Sequence, residues 1–174
     1  QKLTEVWGQT LVVDDRAGAS GNIGGDIAAK SNPDGYTLFM TSGSIVTANQ
    51  HLFKKMPFNP EKDFLAVTNV ASGPQALVVN PSFPANNVKE LIAMAKAKPK
   101  AITFGSAGFG TQTHLAAENF IYTAGIDVVH IPYKGEAPAI SDLLGGQIQF
   151  VTPNLAAAIA FVKQGKLRAL GVTS

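Results

Sequence analysis

Short apolar runs alternate along the chain with segments whose apolar residues recur every three to four positions, and Gly, Pro, Asn or Ser marks most changes of period. Thr10 to Asp14 and Tyr36 to Met40 read as strands, the first of them buried. Phe64 to Val70 and Gln75 to Val79 read as extended segments. Ala101 to Phe104, Asp127 to Ile131, Gln147 to Val151 and Leu167 to Val172 continue the strand series. Helical spacing runs through Ile27 to Ala29, Ala48 and Leu52, Val88 to Ala95, Leu115 to Ala124, Ile140 to Leu144, and Ile159 to Val162. Gln1 to Trp7 resembles the second half of an amphipathic helix closed by Gly8, and Asn87 with Glu90 has the spacing of a capped helix start. Strand then helix, repeated, predicts an α/β fold with a mostly parallel sheet and right-handed crossovers. The pattern resets after Ser72-Gly-Pro74, which predicts two lobes joined by an extended hinge: residues 1–72, residues 73–170, and the start of a return crossing at 171–174.

The polar, Gly-rich or hydroxyl-rich loops, 16–25, 41–44, 105–114, 132–135 and 152–154, each follow a predicted strand. Ligands of open α/β sheets collect at that edge, so five loops converging there predict a ligand cleft. The richest is Gly105-Ser-Ala-Gly-Phe-Gly-Thr-Gln-Thr-His114, whose hydroxyls and amides precede a helix with Thr113 in the expected capping position. A helix N-terminus suits an anion, although an ordinary capped turn has the same composition. Gly18, Gly21 and Gly24 follow a GxxGxxG spacing, a weak match to a dinucleotide fingerprint.

The formal net charge of +2 over 174 residues, with scattered lysines, lacks the basic stripe that nucleic acid requires. No apolar run reaches the roughly 18 to 20 residues of a membrane span. Cysteine is absent, which removes disulfides and thiol chemistry. His51, His114 and His130 share no metal-ligand spacing, so no metal site is expected. Arg16 and Arg168 are the only arginines, so a carboxylate here must rely on amides and hydroxyls unless Arg16 joins them. Ser106 with His114 offers a nucleophile and base, but without a GxSxG frame. Asp26 and Asp142 look like helix positions without partners, while Tyr133 and Phe109 either stack on a ligand or cover the cleft floor.

Val12-Val-Asp-Asp-Arg-Ala-Gly-Ala-Ser-Gly-Asn-Ile-Gly24, Asn32-Pro-Asp-Gly-Tyr-Thr-Leu38, the 105–115 loop, Val129-His-Ile-Pro-Tyr-Lys-Gly135 and Asp142-Leu-Leu-Gly-Gly-Gln147 together resemble the Bug-type receptors of tripartite tricarboxylate transporters, in the same order over essentially the whole chain. The resemblance implies a type II periplasmic binding protein that captures a small carboxylate for membrane transport subunits, without catalysis or cofactor. Carried over by position, it implies ligand contacts from Ala19, Ser20, Gly21 and Ser42, from Ser106, Ala107, Gly110, Thr111 and Thr113, and from Thr152 and Asn154. Phe109 stands where the family's loop carries Asn. The resemblance also implies a chain truncated at both ends, whose first lobe lacks a first strand and a C-terminal return. Two other readings fit the same strand-end loops: a hydrolase or transferase using Ser106 or His114, and a periplasmic sensor domain for a similar solute.

Overall fold

The computed structural model describes residues 2–173. Gln1 and Ser174 lie outside the described residues, so the helix expected from Gln1 and the return segment ending at Ser174 are described only in part. Helix α1, Lys2–Trp7, ends at Gly8, whose φ of 64° takes the chain out of the helix. After the 3-10 turn Ala19–Gly21 come α2 (Asn22–Ala29), α3 (Gly43–Thr47) and α4 (Asn49–Leu52). The remainder alternates: β1 (Ala76–Val79), α5 (Val88–Ala97), β2 (Thr103–Ser106), α6 (Gln112–Ala124), β3 (Val129–Pro132), α7 (Glu136–Leu144), β4 (Phe150–Val151), α8 (Leu155–Lys163) and β5 (Arg168–Val172).

The five strands form one sheet in the order β3-β2-β4-β1-β5. β2 is parallel to β3 and β4, whereas β1 is antiparallel to β4 and to β5, so β1 alone runs against the other four. The expected mostly parallel sheet is therefore a mixed one, because the chain enters it through β1, one strand in from the β5 edge, and returns on both sides of that strand. Thr103 pairs with Val129 and Phe104 with Phe150, a register that sets the ends of β2, β3 and β4 at one edge.

Each face of the sheet carries its own core. Leu77, Val79, Phe104 and Phe150 pack with Leu91 and Ala95 of α5 and Ala117 of α6. Ala76, Val78 and Val151 pack on the other face with Ala139, Ile140 and Leu143 of α7 and Ala158 of α8. Strand alternation sends adjacent residues to opposite layers, so β1 feeds both cores and all four of its residues are buried. α5 starts as its sequence predicts: Asn87 accepts the Glu90 N–H at 3.0 Å, and Glu90 in turn accepts the Asn86 N–H at 2.7 Å.

Two strand expectations are corrected. Residues 10–14 and 36–40 are extended but carry no ladder pairing among the described residues, and the same holds for 64–70. Thr10 to Asp14 is not buried either: Val12 is 82% exposed and Val13 76%. A strand needs a neighbour to take its backbone donors and acceptors, and no described segment is paired to these in a ladder. What fixes this part is a small aromatic cluster, in which Phe39 stacks on Phe64 at 5.2 Å and Phe58 meets Phe64 edge-on at 5.4 Å. Gly25 is packed so tightly on Phe58 that an added Cβ would lie 2.3 Å from its ring.

Candidate functional site

The 105–114 loop leaves β2 at the sheet edge and re-enters order at α6, and its hydroxyls are committed to holding it there. Thr111, rather than Thr113, is the cap of α6: its side chain accepts from the His114 N–H. Thr111 was the better candidate by geometry, since a cap must lie one residue outside the first helical turn and α6 begins at Gln112. The Thr111 hydroxyl donates to the Gly108 carbonyl at 2.7 Å, so the 3.1 Å contact with Thr113 must be donated by Thr113. Thr113 also accepts the Ala107 N–H at 2.9 Å, and the Thr152 hydroxyl donates to the Thr113 carbonyl at 2.6 Å. The first-turn N–H groups of Gln112 and Thr113 have no acceptor among the described residues.

Beneath the loop lies an aromatic stack. Phe104 is stacked on His130 at 4.7 Å, and His130 is 4.2 Å from His114, which in turn meets Phe109 at 4.9 Å. The hydrogen-bond partner of Ser106 is His130, not His114: Ser106 Oγ lies 2.7 Å from His130 Nε2. His114 instead accepts the Gly110 N–H at Nδ1, 3.2 Å away, which places its proton on Nε2, 3.4 Å from Glu118. Burial lowers the pKa of His130 to about 4, with His114 adding to the shift, and burial lowers that of His114 against the opposing pull of Glu118. Both rings are therefore neutral near pH 7 and serve as packing and hydrogen-bonding groups. Ser106 is 1% exposed, and no carboxylate is bonded to His130 among the described residues, so this pair lacks the access and the third member of a hydrolytic triad.

Facing the loop is the 19–21 turn, where Ala19 and Ser20 take left-handed φ values of 46° and 55°. Gly21 is required where it stands: its φ is 88°, and a Cβ would meet Ile45 at 2.2 Å. The Ser20 hydroxyl donates to the Phe109 carbonyl, and its carbonyl accepts from Asn49 Nδ2 at 3.2 Å. Asn49 is fully buried and also donates to Asn22 at 2.8 Å. Gly110 fits under this layer, since a Cβ there would lie 2.8 Å from Leu52.

Ala19 adjoins this contact. Ser42 does not join it: its hydroxyl pairs with Ser44 at 3.1 Å, and it makes no hydrogen bond to the 105–114 loop. Ser106, Ala107, Thr113 and Thr152 come together around a recess of about 10 Å³, the space of one water-sized group. Asn154 closes its rim, donating its backbone N–H to Glu136 at 2.5 Å. Arg16 is paired with Asp14 at 2.8 Å, and Arg168 donates to the carbonyls of Pro81, Phe83 and Ala85, so neither offers a free guanidinium to this recess. Asp26 and Asp142 both have partners: Lys30 at 2.8 Å and the Tyr133 hydroxyl at 2.7 Å. With its hydroxyl so engaged Tyr133 is tied to α7, while Phe109 is 54% exposed. Asn49, His130 and Glu136 were missed from the sequence, the first two because only strand register and helix docking bring them to the loop.

Comparison with known proteins gives the same fold along the whole chain. The family model "Tripartite tricarboxylate transporter family receptor" matches residues 1–174. Protein BugT of Bordetella pertussis is 39% identical over 173 residues, covering 99% of this chain and 53% of its own. The structure of R. palustris Rpa4515 with adipate superposes with a TM-score of 0.96 at 35% identity, covering 99% of this chain and 58% of that one. The periplasmic binding protein BugD superposes with a TM-score of 0.93 at 32% identity, again with 99% and 57% covered. The chain thus spans a little over half the length of these relatives, and its α/β architecture is that of periplasmic binding proteins. With the family model matched from its first residue to its last and the same fold in each of these relatives, the chain belongs to the receptor family of the tripartite tricarboxylate transporters.

Proposed function

We propose that this chain is the solute-recognising part of an extracytoplasmic receptor that binds a small carboxylate at the ends of β2 and β4 and delivers it to membrane transport subunits from the periplasm. The observation that carries this reading is the N-terminus of α6, a helix of 13 residues whose Gln112 and Thr113 N–H groups are unpaired beside the recess that Thr113 lines. Such donors, with the helix dipole behind them, favour a carboxylate oxygen. Adipate in Rpa4515, a relative at 35% identity, supports the same ligand class. Residues 1–72 and 73–170 act as two lobes, with 171–174 beginning a return. Ala19, Ser20 and Gly21 of the first lobe close on the 105–114 loop of the second, and Thr152 and Asn154 wall the side. Ser106, Ala107, Gly110 and Thr111 shape the loop, while Ser42 belongs to the first-lobe wall. No catalytic step or cofactor is assigned to the chain.

The test is a thermal-shift screen of small carboxylates on the full-length receptor. A solute at about 100 times its dissociation constant adds roughly 2.7 kcal/mol to the folded state, enough for a clear rise in melting temperature. A rise with one acid, lost when Gln112 is replaced by Pro to remove a first-turn donor, supports the reading. Absence of any rise across mono-, di- and tricarboxylates overturns it.

A further inference from the structure

We propose that the peptide group joining Phe109 to Gly110 is a two-position element governed by the charge of His114: acid turns it over and exchanges the contact that the tip of the 105–114 loop makes with the first half of the chain. The proposal goes beyond solute binding and stands without it. In the structure this one peptide is held at both ends. Its N–H donates to His114 Nδ1 at 3.2 Å, and its carbonyl accepts the hydroxyl of Ser20. His114 belongs to α6 and Ser20 to the 19–21 turn, so the peptide links the two halves of the chain. A ring nitrogen accepts only while it is unprotonated, and a backbone N–H only donates. A proton on Nδ1 therefore sets two donors face to face. A trans peptide is planar, with its N–H and C=O on opposite sides, so the N–H cannot turn from His114 without the carbonyl turning from Ser20.

The turned position has partners on both sides. With the peptide reversed, the Phe109 carbonyl faces His114 and accepts from the protonated Nδ1, while the Gly110 N–H faces the first half. There the side-chain oxygen of Asn49 is buried and has no partner among the described residues, although Nδ2 of the same amide donates to the Ser20 carbonyl at 3.2 Å and to Asn22 at 2.8 Å. An ideal Cβ on Gly110 would lie 3.5 Å from that oxygen, which puts the open acceptor beside this peptide. Turning the peptide reverses the φ of Gly110, now 77°, and glycine populates either sign. Buried acceptors are rarely left open, and the second position fills this one. The titratable groups facing His114 are Glu118 on its own helix, 3.4 Å from Nε2, and His130 on β3, with ring centroids 4.2 Å apart. β2 faces the ring with Phe104, the loop with Phe109, and α4 reaches the loop tip with Asn49 and Leu52, none of them charged. Glu118 favours the cation on His114, whereas His130 has no carboxylate partner among the described residues, so His114 takes the first proton of the pair. Burial holds the pKa of His114 below its ordinary value against the pull of Glu118, so the present position belongs to neutral pH and the turned one to acid. The competing account is that His114 only fills the aromatic stack.

The experiment follows the full-length receptor by heteronuclear NMR from pH 7.5 to 4.5 and reads the peptide directly in crystals equilibrated at the two ends of that range. The expected result is that the Gly110 amide and the His114 ring resonances move together with one midpoint, while the amides of β1 stay in place. Crystals at pH 4.5 should show the Phe109 carbonyl on His114 Nδ1 and the Gly110 N–H turned toward Asn49, with the Ser20 bond broken. In His114→Asn, whose side-chain oxygen takes the place of Nδ1 and does not titrate, the movement of the Gly110 amide is lost. A His114 ring that stays neutral down to pH 4.5, or that titrates with Gly110 unmoved, overturns the proposal. Movement of Gly110 that persists in His114→Asn overturns it as well, as does movement that appears only when the β1 amides are lost with it. Should the variant fail to fold, the peptide orientation in the two wild-type crystals decides: the same orientation at both pH values overturns the proposal.

Discussion

At the scale of single residues, the loop that looks made for a ligand is first of all made to hold itself. Thr111 caps α6, ties Gly108 and receives the Thr113 hydroxyl, so its replacement acts on folding before it acts on binding. Thr111→Val keeps the shape and removes the oxygen, which takes the capping acceptor from the His114 N–H and the acceptor from the Thr113 hydroxyl proton, while the Gly108 carbonyl keeps the Ser106 hydroxyl and the residue-111 N–H as donors. It should cost about 1 to 2 kcal/mol of stability in urea denaturation, besides any loss of solute affinity. Unchanged stability would show that water replaces the hydroxyl. The buried histidines make a second prediction, through pH. His130 titrates at about 4 in the folded protein, against about 6.5 in the unfolded chain, so the unfolded state holds more protons between those values. The contribution of the neutral ring is therefore fully present above about pH 6.5 and is lost as pH falls toward 4. For a gap of that size it is on the order of 3 kcal/mol, reduced by solvent screening at a ring that is only partly buried. Urea midpoints measured at pH 7.5, 5.5 and 4.5 should fall more steeply in the wild type than in His130→Gln, which keeps a hydrogen bond to Ser106 but does not titrate. Parallel curves would place the acid sensitivity elsewhere.

At the scale of elements, legibility followed whether an element depends on itself or on neighbours. The helices α5 to α8 were readable because apolar spacing and local caps are properties of the segment, as Asn87 and Glu90 show. The strands β1 to β5 were readable because each falls on a short run between turn residues, whether buried as β1 and β4 are or partly exposed as β3 and β5 are. Residues 10–14 and 36–40 have the same strand-like composition, but without a paired neighbour they are extended chain and nothing more. For the candidate site, the 105–114 loop and the 152–154 turn were visible from their glycines and hydroxyls, whereas the Ser106–His130 pair was not. It depends on Thr103 lying opposite Val129, a register that local sequence does not encode. The extended crossing hides a different kind of residue. Gln75, at the entrance to β1, is 3% exposed, and neither its amide oxygen nor its nitrogen has a partner among the described residues. Its backbone is well held, donating to Thr173 Oγ1 at 3.0 Å and accepting the Thr173 N–H at 2.8 Å, so only the side chain is uncompensated. Gln75→Met keeps the volume and removes the buried polar atoms. It should raise stability by about 1 kcal/mol, because an unsatisfied buried amide costs more than its apolar replacement. A lower midpoint in that variant would mean that a water or another segment satisfies the amide in solution.

At the scale of the molecule, the two halves of the chain are unequal. Residues 75–173 enclose two cores around a sheet, while residues 2–74 expose much of their apolar surface: Val12, Tyr36, Met40, Leu65, Val67 and Val70 are each more than 70% exposed. These positions fall on the three extended segments that lack ladder partners, so apolar side chains and free backbone donors and acceptors are presented together. Apolar surface joined to unpaired strand edges is the combination that draws chains into edge-to-edge association. The 174-residue chain expressed by itself should therefore bind a hydrophobic dye and self-associate as its concentration rises, even though its second half is well packed. The association should be local to the first half: Leu65→Lys with Val67→Lys places two charges on one exposed extended segment, at little cost to either core because neither residue contributes to one. Sedimentation velocity should show the double variant shifted toward monomer, with near-ultraviolet circular dichroism unchanged. Association undiminished in that variant, or a chain that remains monomeric without it, would mean that these segments fold against one another in solution and that the first half is more closed than its exposed residues imply.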